Sequence, residues 1–215
     1  MSPIAMHHLE HFAEPIEGLR RVGHQLWTRG WSLGTSSNYS AVVERDPLRL
    51  IITASGKDKG HLGPHDFVMV DDQGKSVVDG QPKSSAETLL HCLAARHGAG
   101  AVLHTHSVWG TLLSNHFAPV GGIRIVGFEM LKGLEGITTH DASCWIPIFE
   151  NTQDIPALAR QVDTYLQSEG REPCWAYLIR RHGMYTWGRD IAQAARHVEV
   201  IEFLLECLGR TTRLV

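Results

Sequence analysis

This 215-residue chain has no long hydrophobic run, no paired-cysteine spacing, no dinucleotide fingerprint and no excess of either charge. Each absence excludes a class of function. Apolar stretches such as Trp175-Ala-Tyr-Leu-Ile179 fall far short of the twenty or so residues a membrane span needs. Met1 to Phe12 carries neither a basic start nor an apolar stretch, so no secretory leader is expected and the chain reads as soluble and cytoplasmic. Cys92, Cys144, Cys174 and Cys207 are scattered without C-x-x-C spacing, which argues against a disulfide framework or a thiolate metal knuckle. Lys and Arg total 20 against 23 Asp and Glu, a formal net charge of −3 with the signs intermixed, so no basic stripe awaits nucleic acid or an anionic membrane. The first strand is not followed by G-x-G-x-x-G, and there is no internal repeat or low-complexity segment. A small-molecule partner is the remaining expectation.

What is present fits one domain spanning residues 1–215, since 43% hydrophobic residues suffice for one substantial core and no shift of composition divides the chain. Ile16, Leu19, Val22 and Leu26 keep helical spacing, and Gly30 stands where a helix ends. Two β-rich runs, Tyr39 to Val43 and Leu48 to Thr53, flank Glu44-Arg-Asp-Pro47 and predict a hairpin. Phe67 to Val70 and Lys75 to Val78 predict a second pair of strands around Asp71-Asp-Gln-Gly74. A helix is expected from Ser85 to His97, capped by Ser84 or Ser85, and another over Val108 to Asn115. Strands are predicted at Ile123 to Val126, Trp145 to Phe149 and Trp175 to Ile179, with a helix near Pro156 to Gln167. A last helix, Ile191 to Leu208, is capped by Asp190, and its apolar face is either core or subunit interface. The fold class is α/β: a mixed, largely antiparallel central sheet with helices on both faces.

The chemistry-bearing stretch is Ala101-Val-Leu-His-Thr-His-Ser107. On a strand, alternate side chains leave the same face, so His104 and His106 would project together as ligands for one ion, although such a pair can also arise by chance among 14 histidines. Three other segments suit an anion. Gly34-Thr-Ser-Ser-Asn-Tyr-Ser40 offers backbone N–H groups and hydroxyls or is an ordinary turn. Thr53-Ala-Ser-Gly-Lys-Asp-Lys-Gly60 has a glycine and two lysines but not the spacing of a nucleotide loop, and the helix after Ser85 has a free N-terminus. Glu129 stands alone among apolar neighbours, and His182 precedes a glycine at a strand end.

Taken in order, the Gly34 to Ser40 loop, Thr53-Ala-Ser-Gly56, Lys83-Ser-Ser-Ala-Glu87 with His91, His104-Thr-His106 and His182-Gly183 resemble the class II aldolase/adducin family. Gly56-Lys-Asp-Lys-Gly60, Ser85-Ala-Glu-Thr-Leu-Leu-His91 and Glu129-Met-Leu-Lys-Gly133 point to its branch that dehydrates 5-methylthioribulose 1-phosphate, a hydro-lyase step of methionine salvage. The resemblance implies a three-layer fold, a homotetramer with sites near subunit boundaries, and one zinc per subunit on His104, His106 and His182. It also implies a phosphate pocket near Ser37, Asn38, Ser55, Gly56, Ser84 and Ser85. The family's aldolases carry Ser-Ser-Glu where this chain has Ser85-Ala86-Glu87, so one hydroxyl of their phosphate clamp is absent here. In the dehydratase branch the acid/base matches Glu129, whose neighbours Phe128 and Met130 would raise its pKa toward neutrality, while the aldolase acid/base matches Glu87. A sugar-phosphate aldolase or epimerase and a metal-free adducin-like interaction module are the alternatives.

Overall fold

The computed structural model describes residues 9–212. The reading of Met1 to Phe12 as free of a leader falls, for residues 1–8, outside the described residues. Helix α1 (Ala13–Thr28) buries the predicted stripe of Ile16, Leu19, Val22 and Leu26. It stops at Gly30, whose φ of 76° only glycine adopts cheaply, and there Gly30 N–H reaches Trp27 O and Trp31 N–H reaches Leu26 O.

Among the described residues eight strands follow: β1 (Asn38–Arg45), β2 (Leu48–Thr53), β3 (Phe67–Asp71), β4 (Ala101–Thr105), β5 (Gly122–Val126), β6 (Ser143–Phe149), β7 (Ala176–Ile179) and β8 (Gly183–Gly188). They form one sheet in the order β3-β2-β1-β4-β8-β7-β6-β5. Every neighbouring pair is antiparallel except β6 with β7. Strand β4 therefore lies inside the sheet, with Asn38 of β1 opposite His104 on one side and Tyr185 of β8 opposite it on the other.

Further helices among the described residues are α2 (Thr88–Arg96), α3 (Val108–Phe117), α4 (Ile155–Gln167) and α5 (Ile191–Thr211). They cover both faces of the sheet. Alternate β4 residues go to opposite layers: Leu103 packs with Leu19, Leu26, Val198 and Ile201 of α1 and α5, while Val102 packs with Leu90, Leu93, Leu158 and Val162 of α2 and α4. Each fully buried leucine stabilises the fold by roughly 1.5–3 kcal/mol. Asp190 caps α5 as expected, its carboxylate accepting from Gln193 N–H at 2.7 Å. No helix among the described residues is long and apolar enough to cross a membrane.

Three expectations are corrected. Lys75 to Val78 is not a strand; only a Val70–Ser76 bridge forms, because the Gln81 side chain takes the edge of β3, accepting from Met69 N–H at 2.6 Å and donating to Met69 O at 3.3 Å. The second helix starts at Thr88, not Ser85. Ser84 is in a bridge with Ala54, and the Ser85 hydroxyl accepts from Glu87 N–H, which holds Glu87 just outside the helix at φ −95°, ψ 11°. Strand β8 has no counterpart in the sequence expectations: Arg180 to His182 is a tight connection, with Arg181 at φ 54°, that returns the chain alongside β7.

Candidate active site

Three histidines converge at the C-terminal end of β4. His104 is the penultimate residue of that strand and His106 lies just beyond it, its N–H donating to Trp31 O at 2.8 Å. Ser107 caps α3 by accepting from Gly110 N–H, which pins the chain directly after His106. His182 arrives from the β7–β8 connection. Gly183 is what admits it: a Cβ there would lie 2.1 Å from Thr105 O, 3.0 Å from His104 Cε1 and 3.2 Å from His106 Cδ2. Any side chain at 183 would drive the two strands and the three rings apart.

The ring atoms of His104, His106 and His182 that could bind an ion lie within 4.8 Å of one another, and the Nε2 atoms of His104 and His106 face each other at 2.7 Å. His104 Nδ1 donates to Met184 O at 3.0 Å, so its proton sits there and Nε2 presents a lone pair. Burial, then the proximity of the other two histidines, drives the pKa of His104 well below its ordinary value. Burial, then His182, brings His106 to about 4. Neutral imidazoles are the form that ligates a metal, and His182 Nδ1 is buried without a hydrogen-bond partner. The donor set therefore fits a divalent ion.

Glu87, its side chain only 14% exposed, faces this cluster, with Oε2 3.5 Å from His104 Nε2 and Oε1 3.5 Å from His182 Nε2. Behind it runs a directed chain of hydrogen bonds. Asn38 Nδ2 donates to Glu87 Oε2 at 2.9 Å, which turns Asn38 Oδ1 toward His91 Nε2 as the acceptor. His91, buried and brought down to a pKa of about 3, is neutral, so its Nδ1 accepts from the Ser40 hydroxyl at 2.7 Å. Tyr185 stacks on the His104 ring at 4.1 Å and turns its hydroxyl toward Glu87 and Asn38, and Tyr177 stacks on Tyr185 at 5.0 Å. On the opposite face of β4, Thr105 donates to the buried carboxylate of Glu202 at 3.2 Å. Burial, opposed by bonds from Ser107 and Thr105, raises that carboxyl to about 7.

The cluster opens into a pocket of about 310 Å³ that brings together Ser37, Asn38, Ser55, Gly56, Ser85 and Glu87 with His106 and His182. Ser84 does not line it. Asn38 lines it with an amide already bonded to Glu87 and His91. Glu129 is not among the lining residues, and its expected apolar environment is corrected. It sits on a 3₁₀ turn, Glu129–Gly133, that packs Leu131 inward and Gly133 against Val200 of α5 and so turns the first residue outward. Its side chain is 71% exposed and paired with Lys132 at 2.5 Å, and that pairing lowers its pKa rather than raising it. Sequence reading misses Tyr185 and Glu202 as parts of this region and places Lys59 only within an anion-suited loop. For Lys59 the two lysines of the Ser55 to Gly60 loop are visible, but nothing in the sequence separates the buried one from the exposed one.

The chain is similar to known proteins over nearly its whole length. Residues 17–208 match the model of the class II aldolase and adducin N-terminal domain. Methylthioribulose-1-phosphate dehydratase of Hahella chejuensis is 46% identical over 204 residues, covering 94% of this chain and 96% of that protein. The protein of that name from Marinobacter nauticus is 43% identical over 205 residues, with the same coverage of both chains. Among solved structures, L-fuculose-1-phosphate aldolase from Thermus thermophilus superposes with a TM-score of 0.71 at 23% identity, covering 92% of this chain and 94% of that one. A sugar-phosphate aldolase from Thermotoga maritima gives 0.61 at 20% identity, covering 94% and 98%. These two likenesses concern the fold.

Proposed function

We propose a reaction for a chain that belongs to the class II aldolase and adducin family: the dehydration of 5-methylthioribulose 1-phosphate to 2,3-diketo-5-methylthiopentyl 1-phosphate and water, a step of methionine salvage. The observation that carries this reading is the convergence of three imidazoles and a carboxylate at the head of a hydroxyl-lined pocket. The extent of the identity to dehydratases of that name supports the substrate.

His104, His106 and His182 would hold the ion, zinc in this proposal and one per subunit. When bound, that ion supplies Lewis-acid polarisation of the ketose carbonyl and stabilises charge developing on its oxygens. The chain's own residues do the rest. Ser37, Ser55, Ser85 and the backbone at Gly56 orient the phosphate end, which fixes the C3–H and the C4 hydroxyl relative to the acid/base. A carboxylate removes the C3 proton and returns it to the departing C4 hydroxyl, so the carbon chain stays intact and water leaves.

Glu129 is the proposed acid/base, acting in the pocket of a neighbouring copy. Its outward direction supports that arrangement, as do Val126 and Met130, which flank it in sequence and are both exposed apolar residues suited to a subunit contact. A homotetramer with pockets at its subunit boundaries is the corresponding assembly. Glu87 is the second reading, favoured by its place 3.5 Å from two of the histidines within one protomer. The pocket draws on residues from Thr35 to His182, which supports one functional domain, and four free cysteines fit a reducing, cytoplasmic setting.

Incubation with methylthioribulose 1-phosphate followed by mass analysis tests the reaction. A product lighter by one water supports it; a triose phosphate with an aldehyde would replace it with the aldolase reading. Freshly purified protein without any divalent ion would revive the metal-free module.

A further inference from the structure

The loop between β2 and β3 holds two lysines in contrasting states. Lys57 is exposed and paired with Asp66 at 2.7 Å. Lys59, two residues on, is 1% exposed, and among the described residues no carboxylate oxygen lies within 4.0 Å of its Nζ. The nearby acids are engaged elsewhere: Asp58 accepts from Gly60 N–H and His61, and Asp66 from Gly63 N–H and Lys57. Lys59 Nζ donates to Lys57 O at 2.5 Å and to Thr35 O at 3.4 Å. An ammonium has three N–H donors, so one remains, in a side chain that lines the same pocket as the histidines.

A buried cation without a counter-ion is costly, and a polypeptide retains one where a ligand supplies the missing charge. The surroundings are built for an anion. Ser37 at φ 70° and Gly56 at φ 72° both adopt left-handed backbone, the conformation that forms concave N–H cradles, and Ser37 does so at a cost glycine would avoid. Both line the pocket with Ser55 and Ser85. Burial lowers the lysine's pKa to about 8, so it remains largely protonated at neutral pH and an arriving dianion would hold the proton more firmly. The same charge depresses His106, which places the cation within electrostatic reach of the histidine cluster.

We propose that Lys59 is the specificity-determining cation of this pocket, ion-paired to the phosphate of the substrate while its carbon backbone extends toward the histidines. The substrate's identity rests on the function proposed above; the anion site does not.

Two measurements separate them. The first is titration of the metal-loaded full chain with inorganic phosphate, for the unaltered protein, Lys59→Met and Lys59→Arg. Phosphate binding by the unaltered protein, weakened about a hundredfold in Lys59→Met and within about tenfold of it in Lys59→Arg, supports the assignment. Equal binding by Lys59→Met and the unaltered chain, or none by the unaltered chain, overturns it. This result stands whether or not methylthioribulose 1-phosphate is turned over. If it is, Lys59→Met should lose about a hundredfold in kcat/KM with metal content unchanged, and retention within about threefold would overturn the role. The second needs no variant: a crystal of the unaltered chain soaked in phosphate should place the anion in hydrogen-bond reach of Lys59 Nζ, and an anion seated elsewhere in the pocket, or none, would overturn it.

Discussion

Glu87 and Glu129 are acids of the same type on short irregular segments, yet their environments are opposite. Glu87 is held off the start of α2 by the Ser85 hydroxyl, oriented by Asn38, and faces two imidazoles. Glu129 points to solvent with Lys132 as its partner. Apolar neighbours in sequence do not bury a residue when the turn that carries them rotates it outward. What a carboxylate can do depends on what the fold sets opposite it, and for Glu129 that is Lys132 and His140 rather than the histidine cluster.

The largest expected effect removes the third ring of the cluster, the one Glu87 does not touch. His106→Ala should lose the metal and about a thousandfold or more in turnover, checked by metal analysis and product mass. Full metal occupancy and rate in that variant would mean that the three rings are not the site. Next come the acids themselves. Glu129→Gln should retain metal and fold while losing roughly 10²–10⁴-fold in kcat, the usual contribution of a general acid or base. Mixing the His106→Ala and Glu129→Gln proteins after dissociation and reassembly should restore turnover that neither has alone, since a mixed boundary pairs an intact triad with an intact Glu129. No restoration, with Glu87→Gln inactive and Glu129→Gln active, would transfer the role to Glu87.

A smaller effect is expected behind Glu87. His91→Phe keeps the ring volume but gives Asn38 no donor for its Oδ1, so Glu87 loses orientation. We expect about a tenfold loss in kcat with KM and metal content little changed, the split being read from steady-state kinetics. A fall in metal content alone would point to His104 rather than Glu87 as the group affected.

Glu202 sharpens the comparison with a third carboxylate, buried and, among the described residues, without a cation. Its folded pKa of about 7 lies above the ordinary 4.5, so between those values the folded chain keeps a proton that the unfolded chain has released. Stability from this group is therefore present below about pH 4.5 and is lost as the pH rises through 7. Glu202→Gln should match the natural chain in denaturant unfolding at about pH 4.5 and exceed it by up to about 3 kcal/mol at about pH 8. An unchanged difference across that range would show that Glu202 does not titrate between those values.

The fold is legible wherever a local pattern coincides with a tertiary role. The α1 stripe and Gly30, the β1–β2 hairpin, the Asp190 cap and the His104–His106 pair all emerge in place because each is determined within a few residues. Strand β8 is not legible: its residues are buried on both faces, so Gly183-Met-Tyr-Thr-Trp-Gly188 lacks alternation. The strand expected at Lys75 to Val78 has the composition but not the partner, since a side chain six residues downstream of Lys75, Gln81, occupies its place. Within the site, ligand types can be read from sequence, whereas the burial of Lys59 and the exposure of Glu129 depend on which way a turn faces.

Asn38, His104 and Tyr185 stand in one row across β1, β4 and β8, although 66 residues separate the first two in sequence and 81 the last two. A slip of one residue in either pairing would send the partner of His104 to the opposite layer. Two of these segments lead to the histidines and the third carries Asn38, so the complete site needs long-range pairings in register, a slow kind of folding event. Metal uptake should be among the last events of refolding, and its onset would serve as a clock for completion of the central sheet.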